Sequence, residues 1–202
     1  MINFADPNPM QHFNNWFYSV KNAYPEIEVN AMSLATIGKN RLPKSRVVLL
    51  KQFDWEGFLF YTNYKSEKGK AIDNNNSVCL SFDWSMADKE VCITGRAIKI
   101  EKFISEAYFE NRPTGSQLGA WASEQSEVIF SREDLEVALQ FYEKKFNDKP
   151  VSKPEHWGGY KVFPEIIQFF TKESQQTQLI TSYKLQSNFF WGVTTHYEKN
   201  DF

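Results

Sequence analysis

A tyrosine, an arginine and a serine lie close together near the middle of the sequence. Tyr108 and Arg112 are four residues apart, so both lie on one face if this segment is helical. Ser116 stands at the start of a second predicted helix, where free backbone N–H groups favour an anion. A phenol, a guanidinium and a hydroxyl that converge there predict a phosphate pocket. The same residues also fit an exposed helix end with a surface arginine, which the local sequence alone favours.

Two cations flank a predicted strand earlier in the chain. Residues 46–51 form an apolar run with Arg46 at one end and Lys51 at the other. Side chains alternate between the faces of a strand, so these two cations point to opposite faces. A buried strand with solvated cations at its ends is the common explanation of such a run. Residues 58–63 form a second apolar run after a turn-like segment, and both runs are predicted to be strands.

Two further polar segments offer groups for a ligand. Ser66 and Lys68 follow the second run at the predicted start of a short helix, which indicates another phosphate site. The carboxylate of Glu67 lies between them and opposes a phosphate, at a cost on the order of 1 kcal/mol when solvated. Gln125 and Ser126 provide polar groups suited to the edge of an amide-rich ring.

No catalytic or metal-binding set is recognisable in the sequence. There is no Ser/His/Asp or Cys/His arrangement, no Gly-rich nucleotide loop and no cluster of the three histidines. Cys79 and Cys92 lie in apolar runs and are expected to be buried free thiols without metal-ligand spacing. Binding groups for anions and rings without a protein-borne catalyst are typical of an enzyme whose cofactor performs the chemistry.

The composition is that of a globular protein. With 202 residues, 42% of them hydrophobic and 16% aromatic, the chain is expected to form one domain over residues 1–202. Lysine and arginine total 23 against 25 acidic residues, a net charge of -2, which argues against non-specific binding of nucleic acid. The start lacks signal-peptide character, and no apolar run reaches the roughly 18 residues of a membrane span. A cytoplasmic protein is expected.

The spacing of apolar residues predicts the elements that carry these groups. Helices are expected near residues 13–23, 66–72, 104–111, 116–121 and 135–146. Strands are expected at residues 31–37, 46–51, 58–63, 78–84, 91–100, 160–162, 166–170 and 189–194. Strands in hairpins with helices inserted late predict a mainly β fold, a small antiparallel barrel with helices packed outside it.

Several of these segments together resemble the pyridoxamine 5'-phosphate oxidase family over about residues 6–170. The resemblance rests on Asn30-Ala31-Met32, Arg46-Val47-Val48-Leu49-Leu50-Lys51, Phe60-Tyr61-Thr62-Asn63, Arg112-Pro113, Ser116-Gln117-Leu118-Gly119-Ala120-Trp121, Ser123-Glu124-Gln125-Ser126 and Trp157-Gly158-Gly159-Tyr160. So many ordered matches are more specific than any one motif. The resemblance implies an antiparallel split β-barrel with flanking helices, bound FMN and a homodimer.

The resemblance also implies roles for individual residues. The expected FMN contacts are Arg46, Val47, Val48, Leu49, Lys51, Tyr61, Thr62, Ser66, Lys68, Gln125 and Ser126. The expected contacts of the substrate phosphate are Lys51, Tyr108, Arg112 and Ser116. No protein residue is assigned as the catalyst, since in the family a hydride passes from substrate C4' to the flavin and oxygen then regenerates the flavin with release of peroxide.

The chain departs from the family pattern at several places near the expected flavin and substrate ring. Glu67 replaces an arginine, Glu90 a glutamine and Phe170 a tryptophan. The family's Arg-x-His over the substrate ring is matched by Gln176-Thr177-Gln178, and an FMN-binding arginine is matched by Ile180. The substrate phosphate site is therefore complete, and the ring site is rewritten.

Three interpretations follow. The leading one is an FMN-dependent oxidase acting on a phosphorylated B6 vitamer, pyridoxamine or pyridoxine 5'-phosphate. The second is a related flavoprotein oxidase with a different ring substrate, as in phenazine biosynthesis. The third is a protein that holds FMN or pyridoxal phosphate without turnover. The intact phosphate residues favour the first interpretation over the second, whereas Gln176 and Gln178 favour altered or lost chemistry.

Overall fold

The structure is a computed structural model that describes residues 8–123, 132–147 and 149–199. Its helices are α1 (Pro9–Ala23), α2 (Glu67–Asn74), α3 (Lys102–Glu110), α4 (Thr114–Ala122) and α5 (Arg132–Phe146), with a 3₁₀ turn at Ser85–Ala87. Its strands are β1 (Ala31–Ile37), β2 (Pro43–Leu49), β3 (Gln52–Phe53), β4 (Phe58–Asn63), β5 (Ser77–Trp84), β6 (Lys89–Lys99), β7 (Trp157–Lys172), β8 (Thr177–Leu185) and β9 (Trp191–Lys199).

The strands form one antiparallel sheet with the order β2-β1-β5-β6-β7-β4-β3. β7 is long enough to pair with β6 along one edge and with β4 and then β8 along the other. β9 pairs with β8 and extends the sheet beyond the barrel. The predicted mainly β, antiparallel architecture is therefore present, although one helix, α1, packs into the curled sheet and not outside it.

The chain itself joins the two ends of this strand order. β2 and β3 lie at opposite ends of the order but follow one another in sequence, separated by Leu50 and Lys51. The Leu50 amide donates to the carbonyl of Asn30 over 2.8 Å, and the Lys51 amide donates to the carbonyl of Leu59 over 2.8 Å. These bonds hold the sheet in a curled form, with Leu50 buried inside and Lys51 exposed outside.

The aromatic face of α1 fills the inside of the curled sheet. Phe13, Phe17 and Val20 recur at helical spacing and are buried. The ring of Phe13 contacts three strand aromatics edge-on, with centroid distances of 4.9 Å to Phe58 and 5.1 Å to Phe82 and a similar contact to Phe53. Edge-to-face contacts of this kind are favourable beyond their buried area. Helix α1 therefore holds the barrel strands in place from inside.

A smaller apolar cluster lies where α3, α4 and α5 meet the start of β7. Its buried members are Phe109, Leu118, Ala120, Val151 and Trp157. Because Trp157 belongs both to this cluster and to β7, the cluster fixes the α3–α4 turn against the barrel. That turn carries the predicted phosphate residues.

The structure corrects the expected strands near the C-terminus. Two separate strands at 160–162 and 166–170 were expected, but β7 runs unbroken through Pro164. A β-bulge on β7 accommodates that proline: Gly95 pairs with Pro164 and Thr94 with Ile166, so Glu165 is the extra residue. A residue without an N–H cannot take part in a regular ladder. β8 was not expected at all, and the last strand begins at Trp191, two residues later than expected, and runs to Lys199.

The two cysteines also differ from expectation. Cys79 and Cys92 are only half-buried, on the outer face of β5 and β6, with their sulfur atoms 3.3 Å apart. Within the described ranges, no helix is both long and apolar enough to cross a membrane. The cytoplasmic location and the single domain stay predictions.

Candidate functional site

The first candidate site lies at the start of α2, and Ser66 determines where this helix begins. Its Oγ accepts a hydrogen bond from the Gly69 amide over 3.3 Å and donates to the carbonyl of Asn63 over 2.6 Å. This N-cap fixes the first turn of the helix against the end of β4. The side chain of Ser66 is buried and its hydroxyl is already engaged. Ser66 therefore positions the helix start and does not present its hydroxyl to solvent.

Arg46 on β2 faces this helix start. Its Nη1 donates to the carbonyl of Leu34 over 3.0 Å and to Oγ1 of Thr36 over 2.7 Å, so the guanidinium is held in one orientation. Burial lowers the pKa of Arg46, and the nearby carboxylate of Glu67 opposes that shift. An arginine remains charged even so. The site therefore contains a fixed, partly desolvated positive charge.

Two more charged residues complete this cluster. Lys68 is half-buried, and its pKa is lowered by burial and by the charge of Arg46. Glu67 forms an ion pair with Lys44 of β2, and the hydrogen bond from Lys44 is the main cause that lowers the pKa of this carboxyl. The sequence alone gives no sign of Lys44 as a partner of Glu67, because the two residues are 23 positions apart along the chain.

Lys44, Arg46 and Glu67 border an open cavity of about 700 Å³, and Lys68 lies next to Glu67 at the helix start. It is lined by Thr36, Gly38, Lys39, Asn40, Lys44, Arg46, Glu67, Lys70, Ala71, Asp73 and Asn74. Crowded cations and a capped helix start form an arrangement that fits a phosphate group. We call this space the cation cavity.

The other expected flavin contacts on the strands lie nearby in the fold. On β2, Val48 is half-buried, whereas Val47 is 68% and Leu49 37% exposed. On β4, Thr62 is buried and Tyr61 half-buried. The exposed apolar side chains on β2 leave a surface that a ring or a protein chain can cover. Gln125 and Ser126 lie outside the described residues.

The second candidate site is a stack of rings around Arg112. The Tyr61 ring lies parallel to those of Tyr108 and Trp157, with centroid distances of 4.0 Å and 5.0 Å. The Arg112 guanidinium carbon lies 4.6 Å from the Trp157 ring centroid. Burial, followed by the nearby phenols of Tyr108 and Tyr64, raises the pKa of Tyr61 to about 12. These rings shield the guanidinium from water and keep it in place.

One guanidinium nitrogen of Arg112 has no hydrogen-bond partner in the part of the chain that the structure describes. Its Nη1 is buried and makes no hydrogen bond among the described residues, and burial lowers the pKa of Arg112. A buried donor without a partner is costly, so such atoms are rare in folded proteins. The turn that carries Arg112 is fixed by Gln117, whose Nε2 donates to the carbonyls of Phe109 and Glu110 over 2.8 and 3.2 Å. The geometry is that of an anion-binding group prepared in advance.

Glycines allow the rings to approach β7. A Cβ on Gly159 would lie 2.6 Å from Cδ1 of Ile100 and 3.0 Å from Cε1 of Tyr61, and one on Gly158 would overlap Oη of Tyr64. The remaining predicted phosphate contacts, Lys51 and Ser116, are exposed. In the described part of the chain, no hydrogen bond or ion pair joins either side chain to Arg112.

A third space collects the positions where the chain departs from the resemblance. It is a cavity of about 350 Å³ lined by Asp83, Ser85, Asp88, Lys89, Glu90, Phe170, Lys172, Gln175 and Gln178. Glu90 pairs with Phe170 across β6 and β7, and Phe170 pairs with Ile180 across β7 and β8. Gln176 lies exposed in the β7–β8 turn. We call this space the ring cavity; it shares no lining residue with the cation cavity.

Sequence comparisons place these sites in context. The sequence model of the pyridoxamine 5'-phosphate oxidase family matches residues 22–144, more than half of the chain. A pyridoxine/pyridoxamine 5'-phosphate oxidase of Flavobacterium johnsoniae is 50% identical over 186 residues, which cover 92% of this chain and 87% of that relative. A protein of the same name from Acaryochloris marina is 46% identical over 167 residues, with coverages of 82% and 75%.

Solved structures share the fold. PhzG from Burkholderia lata, in complex with tetrahydrophenazine-1-carboxylic acid, matches with a TM-score of 0.89 and 20% identity over 97% of this chain and 95% of its own. A pyridoxamine 5'-phosphate oxidase-related, FMN-binding protein from Nostoc punctiforme matches with a TM-score of 0.74 and 13% identity over 95% and 99%. The predicted split-barrel fold is thereby confirmed. By its sequence match, its relatives and its fold, the chain belongs to the pyridoxamine 5'-phosphate oxidase family.

Proposed function

We propose that the chain is an FMN-dependent oxidase that converts pyridoxamine or pyridoxine 5'-phosphate to pyridoxal 5'-phosphate, with oxygen as the final acceptor and hydrogen peroxide as the product. Family membership supports the reaction class, and the names of the relatives support the substrate. The observation that carries the proposal is the buried Nη1 of Arg112, which has no hydrogen-bond partner in the described part of the chain. A phosphate on the substrate supplies the missing acceptor.

The surroundings of Arg112 suit a phosphorylated ring. The guanidinium carbon of Arg112 lies 4.6 Å from the Trp157 ring centroid, and an arginine on an aromatic face can still present its N–H donors to a phosphate. Tyr108, near the end of α3, offers a phenol beside the turn that carries Arg112, and Ser116 lies at the start of α4. Each charge-assisted hydrogen bond to the phosphate contributes roughly 1.5–3 kcal/mol. These residues bind and orient the substrate.

The cation cavity suits the phosphate of FMN. Arg46 is fixed by two hydrogen bonds, and Lys68 is half-buried beside it. Two desolvated cations close together repel, and a phosphate dianion relieves that repulsion. When bound, FMN supplies the acceptor for the hydride that leaves the substrate's C4' carbon. The protein's part is to hold the cofactor and the substrate, which agrees with the lack of a recognisable catalytic set in the sequence.

The separation of the two cavities supports a homodimer. The expected phosphate contacts of FMN lie near the cation cavity, whereas Glu90, Phe170 and Ile180, which match flavin contacts of the family, lie at or beside the ring cavity. The two cavities share no lining residue within one chain. A second copy that brings its ring cavity to the first chain's β2 completes the site, and it also covers the exposed apolar side chain of Val47.

The ring cavity favours a second candidate function. Gln178 lines it where the family has a histidine, and Gln176 stands in the adjoining turn where the family has an arginine. Neutral amides donate hydrogen bonds but supply neither the charge nor the imidazole. The second candidate is therefore a protein that binds FMN and a B6 phosphate with little or no turnover. A related oxidase that acts on an unphosphorylated ring has no phosphate to bind at Arg112, so the Arg112 site does not favour that function.

One experiment separates these functions. The purified protein is reconstituted with FMN, and pyridoxine or pyridoxamine 5'-phosphate is added in air while peroxide and pyridoxal phosphate are followed. Formation of both products with either substrate supports the oxidase. Tight binding without product supports the non-catalytic holder. A protein that takes up no FMN, or that oxidises unphosphorylated pyridoxine as fast as its phosphate, contradicts the proposal.

A further inference from the structure

Lys44 and Glu67 form an ion pair directly at the cation cavity. Lys44 Nζ donates to Oε1 of Glu67 and so joins β2 to the first turn of α2. Both residues line the cavity together with Arg46, which stands two positions after Lys44 on the same strand face. The resemblance identifies Glu67 as the position of a lost cation. The structure shows another cation, Lys44, beside that position.

The charges around the cavity are unbalanced. Lys44, Arg46 and Lys68 contribute three positive charges, and Glu67 is the carboxylate that all three affect: each of them lowers the pKa of its carboxyl. The pKa of Lys68 is lowered by burial and by the proximity of Arg46, so these two cations are already crowded. The cavity lining itself carries four cations, Lys39, Lys44, Arg46 and Lys70, against the two carboxylates of Glu67 and Asp73, and Asp73 is already paired with Lys99. A further negative charge in the cavity is therefore favourable.

The ion pair itself is weak and easily rearranged. Its two side chains are 51% and 67% exposed, and water screens such pairs strongly. Arg46, in contrast, is held by two hydrogen bonds and does not need to move. A phosphate dianion attracts an ammonium group more strongly than a single carboxylate does. Lys44 is thus the cation that can exchange partners.

We propose that Lys44 is a phosphate-binding residue of this chain, held by Glu67 in the free protein and transferred to the phosphate of FMN when the cofactor binds. The inference rests on the proposed function and deepens it. It assigns to Lys44 the positive charge that the family takes from an arginine at the position of Glu67. It also assigns to Glu67 the role of a competing anion, which keeps the lysine beside the cavity but weakens cofactor binding.

Binding of FMN and of riboflavin to the apoprotein tests the inference. The two ligands share the ring and differ in the phosphate, and flavin fluorescence quenching reports both affinities without any turnover. Lys44→Ala is expected to weaken FMN binding by about 3- to 10-fold. Riboflavin affinity should change by less than about twofold, because riboflavin has no phosphate for Lys44 to contact. Glu67→Gln should strengthen FMN binding and leave riboflavin unchanged.

A control and the double variant complete the test. Lys39 lines the same cavity in the β1–β2 turn, and Lys39→Ala removes an equal charge without removing the partner of Glu67. Lys39→Ala should weaken FMN binding less than Lys44→Ala does. In the Glu67→Gln background, Lys44→Ala should weaken FMN binding at least as much as in the natural chain, because the competing carboxylate is gone. A purely structural ion pair predicts the same loss for both ligands in the single variant.

The outcomes separate this inference from the proposed function. A natural chain that binds neither flavin, or that binds riboflavin as tightly as FMN, overturns both. A natural chain that prefers FMN, with the preference unchanged in Lys44→Ala, overturns only the role of Lys44. Equal effects of Lys39→Ala and Lys44→Ala also overturn it. They would show that FMN responds to the total positive charge of the cavity and not to a specific contact between Lys44 and the phosphate.

Discussion

Tyr160 on β7 donates a hydrogen bond from its Oη to Oδ1 of Asp73 on α2 over 3.1 Å. The same carboxylate also accepts from Nζ of Lys99 on β6 over 2.8 Å. Helix α2 is therefore tied to the barrel near its end, while Ser66 caps its start. The cation cavity lies along this helix, so these contacts fix the position of the cavity's helical wall relative to the sheet. Burial is the main cause that raises the pKa of the Tyr160 phenol, which keeps it protonated as the donor.

Tyr160→Phe should destabilise the fold by about 1 kcal/mol, because a buried hydrogen bond is lost while Asp73 keeps its pairing with Lys99. Urea unfolding measures the change. Tyr197→Phe is a matched control, since the Tyr197 ring is 68% exposed on β9, and it should leave the unfolding midpoint unchanged. A Tyr160→Phe protein as stable as the natural chain would show that the hydrogen bond does not hold α2.

The raised pKa of Tyr61 predicts a loss of stability at alkaline pH. The folded-state value of about 12 lies above the ordinary value of 10.0, so the contribution of Tyr61 is fully present below pH 10.0 and is lost as the pH rises towards 12. Urea midpoints measured across this range should fall with pH. Tyr61→Phe removes one titrating phenol from the buried stack, and its midpoint should fall less steeply. An equal slope in both proteins contradicts the burial assigned to Tyr61.

Local sequence patterns predicted most strands correctly, but they could not predict contacts between residues that are distant in the sequence. Alternation of apolar side chains is a property of a few consecutive residues, which is why β1, β4 and β5 were expected close to their observed bounds. Pro164 divided β7 in the sequence, because the bulge at Glu165 that accommodates the proline depends on pairing with the distant strand β6. The polar segment of β8 offers little alternation, so its pairing with β7 decides its structure.

The candidate site shows the same division. Spacing predicted Tyr108 and Arg112 on one helical face, but α3 ends at Glu110, so Arg112 lies in the turn that follows. The fold still brings both side chains to the same stack of rings. The ion pair between Lys44 and Glu67 depends on the fold, as does the stacking of Tyr61 and Trp157. A polar residue on an exposed strand gives no signal of a partner 23 positions away. The sequence therefore indicates the candidate binding groups, and the fold determines which residues they contact.

Arg112→Ala should weaken pyridoxal phosphate binding by about 10- to 100-fold, because it removes charge-assisted hydrogen bonds to the ligand phosphate. FMN content should stay nearly unaltered, since the two phosphates are assigned to different residues. Equilibrium binding and the visible flavin spectrum measure the two effects. Arg112→Lys is the matched variant, which keeps the charge but loses the contact of the planar guanidinium with the Trp157 ring. Its affinity for pyridoxal phosphate should lie between those of the natural chain and Arg112→Ala. Loss of FMN with unchanged ligand affinity would show that the two pockets are exchanged.

The thiols of Cys79 and Cys92 should titrate as an interacting pair. The hydrogen bond from Cys92 lowers the pKa of Cys79 to about 7, and the same contact raises the pKa of Cys92. Alkylation by iodoacetamide, followed by mass spectrometry, should therefore modify Cys79 first, with a rate that rises through pH 7. In Cys92→Ala the donor is gone, and the rise should move towards the ordinary value of 9.0. Equal reactivity of the two thiols in the natural chain contradicts the assignment.

Pyridoxine phosphate should bind well but turn over slowly. Tyr108 and Arg112 hold the phosphate, so affinity is retained, whereas Gln176 and Gln178 cannot supply the charge and the imidazole of the family over the ring. Hydride transfer requires C4' in a near-attack position, and a small misplacement costs about 100-fold in rate. The deficit should therefore appear in kcat more than in ligand affinity.

Restoring the family residues should recover the rate. Gln176→Arg combined with Gln178→His is expected to raise kcat by about 10-fold or more if the ring is held again in the near-attack position, with little change in affinity for the phosphate. Gln175→Arg is the matched control. It adds a cation that lines the ring cavity but lies outside the three positions that match the family's Arg-x-His. Steady-state kinetics with peroxide detection gives kcat and KM for each protein. If the natural chain already turns over as fast as the double variant, or if Gln175→Arg raises kcat equally, residues other than this pair orient the substrate ring.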